Sequence, residues 1–166
     1  MRHWITSNIN KFRFLDNFYE CKVTYQGITY QNSEAAFQAQ KTTDPQERLK
    51  FANLPPQEAK SLGHLVSLRD DWEEIKDQIM YEVVKTKFQQ NPELLQELLD
   101  TGDAQLIESN NRNQQDAYWG IDSELWLGYN KLGHICEKVR EELGGWKRNY
   151  TDESVGLHLT FVEWTC

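Results

Sequence analysis

Few features of this chain suggest a familiar chemistry, and each absence removes a class. Only three cysteines occur in 166 residues, Cys21, Cys136 and Cys166. Their number is odd and no CxxC pair is present, which argues against a disulfide framework and a thiolate zinc cluster and in favour of a reducing compartment. The four histidines, His3, His64, His134 and His158, show no metal-ligand spacing. With no HExxH, no glycine-rich phosphate loop and no GxSxG elbow, neither a metal nor a cofactor is expected. A chelator should leave turnover unchanged, and loss restored by a divalent ion would reveal an overlooked metal. No apolar run approaches the roughly 20 residues of a membrane span. The opening Met1-Arg2-His3-Trp4-Ile5-Thr6-Ser7-Asn8 lacks the apolar core of a secretion signal, so a cytoplasmic protein with no membrane partner is expected. Basic residues are outnumbered 18 to 26, giving a formal charge of −8. That balance argues against broad adhesion to nucleic acid or anionic lipid and leaves room only for a local basic groove.

What is present reads as one domain over residues 1–166, without repeats, low-complexity tracts or linkers. Val23-Thr24-Tyr25 and Ile28-Thr29-Tyr30 alternate around Gln26-Gly27 as a hairpin would. Asp44-Pro45-Gln46-Glu47 predicts a helix reaching Ala52; Pro55-Pro56 breaks it, and a short segment from about Gln57 to Leu62 stops at Gly63. Asp71-Trp72-Glu73-Glu74 reads as a capping box, followed by an apolar face through Ile75, Ile79, Val83 and Phe88. Asn91-Pro92-Glu93 starts the next helix, which should pack antiparallel to the preceding one. Ala104 to Glu108 reads as a short strand, Asn110 to Gln115 as a polar loop, and Leu132 to Leu143 as the last helix. Cys136 lies on that helix's apolar stripe as a packed thiol rather than a nucleophile. Lys11 to Tyr19 fits neither period and reads as irregular or extended. Val155, Leu157, Leu159 and Phe161 alternate as a final strand pairing with the hairpin would. Together these elements make an α+β fold, mostly helical with a small antiparallel sheet.

The stretch Ser33-Glu34-Ala35-Ala36-Phe37-Gln38-Ala39-Gln40-Lys41 organises the rest. Ser33 reads as the N-cap of a helix, with Glu34, Gln38 and Lys41 on one stripe and the alanines behind. Two turns separate Glu34 from Lys41 by about 10 Å, which suits a carboxylate and an amine lining a nucleotide-sized cleft. The same pattern also fits a polar, solvated face on a short amphipathic helix. Six tryptophans exceed what a helical core asks for, so some could offer stacking surfaces. Trp72 at a helix start, and Asp116 with Trp119 in a loop, occupy the element ends where sites tend to lie.

These residues resemble those of the NADAR family, also called YbiA-like. The resemblance rests on Phe14-Leu15-Asp16-Asn17-Phe18-Tyr19, Gly27, Tyr30, Ser33-Glu34 and Phe37 to Lys41. It continues through Trp72, Met80, Lys87-Phe88, Leu106-Ile107-Glu108, Asp116, Tyr118-Trp119-Gly120, Asn130 to Gly133 and Arg140. It spans about residues 12–143 and leaves 146–166 as a C-terminal extension. It implies an N-glycosidase that cleaves the bond between ribose C1′ and a base nitrogen. The substrate would be ADP-ribose on guanine in nucleic acid, with local contact to that modified nucleic acid, or a phosphoribosylated intermediate of riboflavin biosynthesis. A noncatalytic sensor of ADP-ribose or a nucleotide is the alternative.

By the same resemblance Glu34, Lys41 and Asp116 are the catalytic candidates. Asn17, Phe18, Gln38, Arg69, Trp72, Trp119, Gly120 and Asn130 are the candidates for substrate binding. Cleavage builds positive charge on the sugar, which a carboxylate near C1′ can stabilise while it activates water or relays a proton. Lys41 could bind a phosphate, act as an acid or form a Schiff base with the opened sugar. The chain departs from the family at three places. Gly63-His64 replaces the usual Gly-Arg, which would remove a phosphate-binding guanidinium or hand its task to Arg69. Residues 121–129 replace a short connection rich in glycine and lysine, and Asp16 stands where serine is usual.

Overall fold

A computed structural model of the chain describes residues 3–110, 116–122 and 125–145. β1 (Trp4–Thr6) and a 3-10 helix (Asn10–Leu15) lead into the hairpin β2 (Glu20–Tyr25) and β3 (Ile28–Asn32). Then come α1 (Ser33–Ala39), α2 (Pro45–Leu49), α3 (Pro56–Leu62), α4 (Trp72–Gln90) and α5 (Pro92–Asp100). β4 (Gln105–Ile107), β5 (Ser109–Asn110), β6 (Ile121–Asp122) and α6 (Lys131–Glu142) complete the order. No helix among the described residues is long and apolar enough to cross a membrane.

The hairpin turns at Gln26 and Gly27, whose φ values of 48° and 81° place both residues in the left-handed region. A two-residue turn of this kind matches the right-handed twist of the strands it joins. Gln90 of α4 then covers the edge of β2: its Oε1 accepts the Thr24 N–H at 2.7 Å and its Nε2 donates to the Thr24 carbonyl at 3.0 Å. A side-chain amide thus takes the place of a neighbouring strand. Among the described residues the strands form three two-stranded pairs, of which the hairpin alone is antiparallel. β1 runs parallel to β4 with Ile5 opposite Leu106, and β5 runs parallel to β6. The expected antiparallel sheet is corrected to this extent: the N-terminal segment docks from far along the chain, a pairing that strand periodicity does not encode. The strand expected over 155–161 lies outside the described residues, as does the loop expected over 110–115 except for Asn110, which pairs with Asp122 at the end of β5 instead of lying in the loop.

Several helix ends differ from expectation because a neighbour competes for the capping group. Asn32, not Ser33, caps α1, accepting the Ala35 N–H at 2.8 Å. Asp44 does cap α2 through the Gln46 N–H, but Glu47 accepts from the Thr42 hydroxyl instead of closing a box, and the helix ends at Leu49. The Asp71 carboxylate takes the Arg69 guanidinium at 2.6 and 2.9 Å and leaves the start of α4 without a side-chain cap. The segment read as irregular contains the 3-10 helix, which turns Phe14 and Leu15 inward.

Every residue of α1 is buried. Ala35, Ala36 and Ala39 have no exposed surface, and the small side chains let α1 pack against β2, β3, α2, α3 and α4 at once. The polar stripe therefore faces the interior rather than water. Around it Val23, Tyr30, Phe51, Val83, Phe88, Leu98 and Val139 form a fully buried core. Each such side chain contributes about 1.5–3 kcal/mol through burial. Cys136 is packed among them, and burial pushes its thiol up to about 12.

Lys87 is an exception within this core. It is 1% exposed, its Nζ donates to the Asp16 carbonyl at 2.9 Å, and burial lowers its pKa. It ties α4 to the loop after the 3-10 helix. Lys87→Ala should therefore destabilise the protein by about 3 kcal/mol in urea denaturation, since it leaves a cavity and takes from the Asp16 carbonyl one of its two donors, the other being the Tyr19 N–H at 3.2 Å. Loss of less than about 1 kcal/mol would mean that the tie is dispensable.

Candidate active site

The site is built where the loop after the 3-10 helix meets the first turn of α1. The Glu34 N–H donates to the Asn17 carbonyl at 3.1 Å, while the Phe18 N–H donates to the Asp16 carboxylate at 2.8 Å. Asn17 is buried, with Nδ2 on the Met80 sulfur at 3.1 Å and no partner for Oδ1. Glu34 itself is 7% exposed, and Gln38 Nε2 donates to its Oε1 at 2.8 Å. Burial pushes the Glu34 carboxyl up to about 7, with Asp16 adding to the rise and Gln38, Lys60 and Lys41 offsetting part of it. A carboxyl poised at neutrality can serve as acid or base.

Lys41 lies just beyond α1, because the chain tightens there: the Gln40 and Lys41 N–H groups donate to the Phe37 and Gln38 carbonyls at 3.0 and 3.1 Å. Its ammonium is 5.8 Å from the centre of the Trp72 ring and forms no ion pair among the described residues. Burial lowers its pKa and Lys60 adds to this, while Glu34, Asp116 and Glu73 oppose the change. The side chain thus holds more neutral amine than an exposed lysine would.

An aromatic wall closes one side. Phe37 stands between Trp72 at 5.1 Å and Trp119 at 5.5 Å, and Tyr118 meets Trp119 edge-on at 4.9 Å. Trp72 is buried in this wall, so its ring packs as part of the core; Trp119 is half-buried. Asp116 sets the turn that carries Trp119, accepting its N–H at 3.3 Å through Oδ1 and the Gly120 N–H at 3.2 Å through its carbonyl.

The structure thus brings together Glu34, Gln38, Lys41, Asn17, Phe18, Trp72 and Trp119, with Asp116 acting on Lys41 through its charge. Two expected substrate-binding residues are engaged elsewhere. Arg69 gives its guanidinium to Asp71 and its N–H to the Lys41 carbonyl at 2.8 Å, so it holds the backbone of Lys41. Asn130 is a staple in a left-handed conformation, φ 50°: Oδ1 accepts the Glu108 N–H at 2.9 Å and Nδ2 donates to the Leu106 carbonyl at 2.9 Å. Gly120 is buried and its carbonyl takes the Asn130 N–H at 3.4 Å, a backbone role in the same joint.

Sequence spacing missed Asp16, Lys60 and Glu108. Lys60 acts on both Glu34 and Lys41, and reaches them because α3 packs against α1. Burial raises the Glu108 pKa and Asp16 adds to it, while Ser7 and Lys87 oppose the rise. The signals for Glu108 were its place directly after the apolar pair Leu106-Ile107 and its part in the family resemblance, neither of which gave it a role.

Gly63 supplies a further test. A Cβ there would lie 2.0 Å from Gln38 Oε1 and 3.1 Å from Gln38 Cβ, so the side chain that bonds to Glu34 would have to move. Gly63→Ala is expected to cut kcat/KM by about 10-fold and to raise the pH of its acidic limb, because Glu34 loses a hydrogen bond that favours its charged form. An unchanged pH profile would separate Gln38 from the behaviour of Glu34.

The fold defines a class before any particular relative does. It matches the solution structure of the Escherichia coli protein YbiA with a TM-score of 0.74 and 34% identity, over 86% of each chain. The NADAR domain matches residues 2–144, and the chain belongs to the NADAR family. It is 37% identical to the N-glycosidase YbiA of Escherichia coli over 130 residues, 76% of this chain and 79% of that one. An N-glycosidase of Nostoc punctiforme is 34% identical over 133 residues, 76% of this chain and 83% of the relative. A riboflavin biosynthesis protein of Vibrio vulnificus is 40% identical over 135 residues, 78% of this chain. The match spans 35% of that longer relative. By family the chain stands among N-glycosidases, hydrolases of N-glycosyl bonds.

Proposed function

We propose that this protein hydrolyses the bond between ribose C1′ and a base nitrogen in a phosphoribosylated nucleotide. Glu34 carries the reading: a buried carboxyl raised to a pKa of about 7, bonded by the Gln38 amide and within the field of the Lys60 and Lys41 ammonium groups. As the C1′–N bond breaks, its electron pair leaves with the base, which gains a proton, and positive charge builds on the sugar. Glu34 as carboxylate stabilises that charge and takes a proton from the water that adds to C1′. Lys41, at lowered pKa, gives a proton to the leaving nitrogen or attacks C1′ itself. Trp119 offers the base an aromatic edge, and Asn17 and Gln38 offer acceptor oxygens to the ribose hydroxyls.

Relatives named for riboflavin biosynthesis, together with the charge of −8, favour a small phosphoribosylated intermediate over a polymer. ADP-ribose on guanine is the second substrate to try. Incubation with the phosphoribosylated pyrimidine intermediate, with ADP-ribosylated guanine in an oligonucleotide and with NAD, followed by chromatography of released base, tests the proposal. Release from the first alone is the expected result. Binding without release from any of them would assign a sensor instead.

A further inference from the structure

We infer that Lys60 is the phosphate-binding cation of this site and that it leaves Lys41 to the sugar. The inference deepens the reading of the substrate as a ribosyl phosphate. A phosphate needs a cation, and the two residues that could replace the missing arginine are not placed for it. His64 is exposed on the turn after α3, and Arg69 is held by both oxygens of Asp71. Lys60 lies one turn before Gly63, and Gly63 is in contact with the Gln38 side chain, so this end of α3 borders the site directly. Its Nζ is 5.8 Å from the centre of the Phe18 ring, and its charge acts on both Glu34 and Lys41.

Among the described residues Lys60 makes no ion pair, whereas Lys76, Lys85 and Lys131 are paired with Glu73, Glu142 and Asp77. An unpaired, half-buried ammonium at the rim of an acidic protein's site is suited to an anion. The acceptors at the other end set the direction of the ligand. Asn17 Oδ1 and Gln38 Oε1 are buried without donors, and Glu34 and Asp16 lie nearby. A phosphate dianion has no proton to give those oxygens and is repelled by those carboxyls, while ribose hydroxyls satisfy them. The sugar therefore lies over Glu34 and the phosphate turns toward Lys60.

Titrations with ribose 5-phosphate and with ribose, followed by calorimetry or amide shifts, test this without turnover. The wild type should prefer ribose 5-phosphate by about 10-fold or more, Lys60→Met should remove that preference, and Lys60→Arg should keep most of it. His64→Ala should keep it in full. No preference in the wild type, a full preference in a folded Lys60→Met, or loss in His64→Ala would each overturn the inference. Because binding is read directly, a protein that prefers ribose 5-phosphate through Lys60 but releases no base would refute the glycosidase reading alone.

Discussion

Glu34→Gln is expected to lower kcat by about 10³-fold or more while the protein becomes more stable, and the two effects share one cause. The substitution keeps the size of the side chain and its acceptor oxygen for Gln38 Nε2 but removes the charge. In the native protein that charge is held in a buried place, which raises the carboxyl from 4.5 to about 7. Below about pH 4.5 native and unfolded chains are both protonated here, and burial costs nothing. Between there and pH 7 the unfolded chain ionises first, the native state binds more protons, and stability falls as pH rises. Above pH 7 the full penalty is present, about 3 kcal/mol at this shift. Urea denaturation at pH 8 should show Glu34→Gln more stable than wild type by up to that amount, and the difference should vanish near pH 4. The groups facing Glu34 are Gln38, Lys60, Asp16, Lys41 and, more distantly, Glu108. None should reverse the sign, since burial is the largest influence. A wild-type kcat/KM profile with an inflection near 7 that is absent in the variant completes the expectation. Equal rates for wild type and Glu34→Gln would end the assignment.

This trade between stability and chemistry explains how far the sequence could be read. The hairpin at Gln26-Gly27, the helices at Asp44, Pro56, Trp72 and Pro92 and the last helix all show in the chain, because each carries its own period or end signal. β1 does not, since three residues pair with a segment 101 positions away for tertiary reasons alone. The polar residues of α1 were legible as a stripe but not as an interior. A period tells which residues share a face, while the surroundings of that face come from elements elsewhere in the chain. Here α3, whose end brings Gly63 against the Gln38 side chain, helps to bury Glu34 and Gln38, and the solvated-face reading fails for both residues. Lys60 was invisible for the same reason, as its distance from Glu34 is set by α3 lying on α1 and not by any spacing. Arg69 and Asn130 had the residue types for binding but are occupied by Asp71 and by the β4 backbone. The resemblance named residues by type, and packing decides which of them keep a polar group free of backbone and ion-pair partners.

With a phosphate on Lys60, Lys41 becomes the residue whose loss separates two chemical routes. If its amine attacks C1′, an N–C1′ bond forms as the C1′–base bond breaks, the base leaves with the electron pair and a proton, and the ring opens to an imine. Water then hydrolyses the imine to free sugar and amine. Burial and the neighbouring Lys60 ammonium favour this route, since both raise the fraction of neutral amine at pH 7. Borohydride added during turnover should then reduce the imine and fix a ribosyl adduct on Lys41, seen as a mass increase on the peptide that carries it. Lys41→Arg should form no adduct and lose about 10³-fold in kcat, because a guanidinium keeps the charge but is not a usable nucleophile. If Lys41 only supplies charge, no adduct should appear and Lys41→Arg should retain about a tenth of the activity or more. Lys41→Ala with full activity would refute both routes, and Glu34 would then have to carry the reaction with water alone.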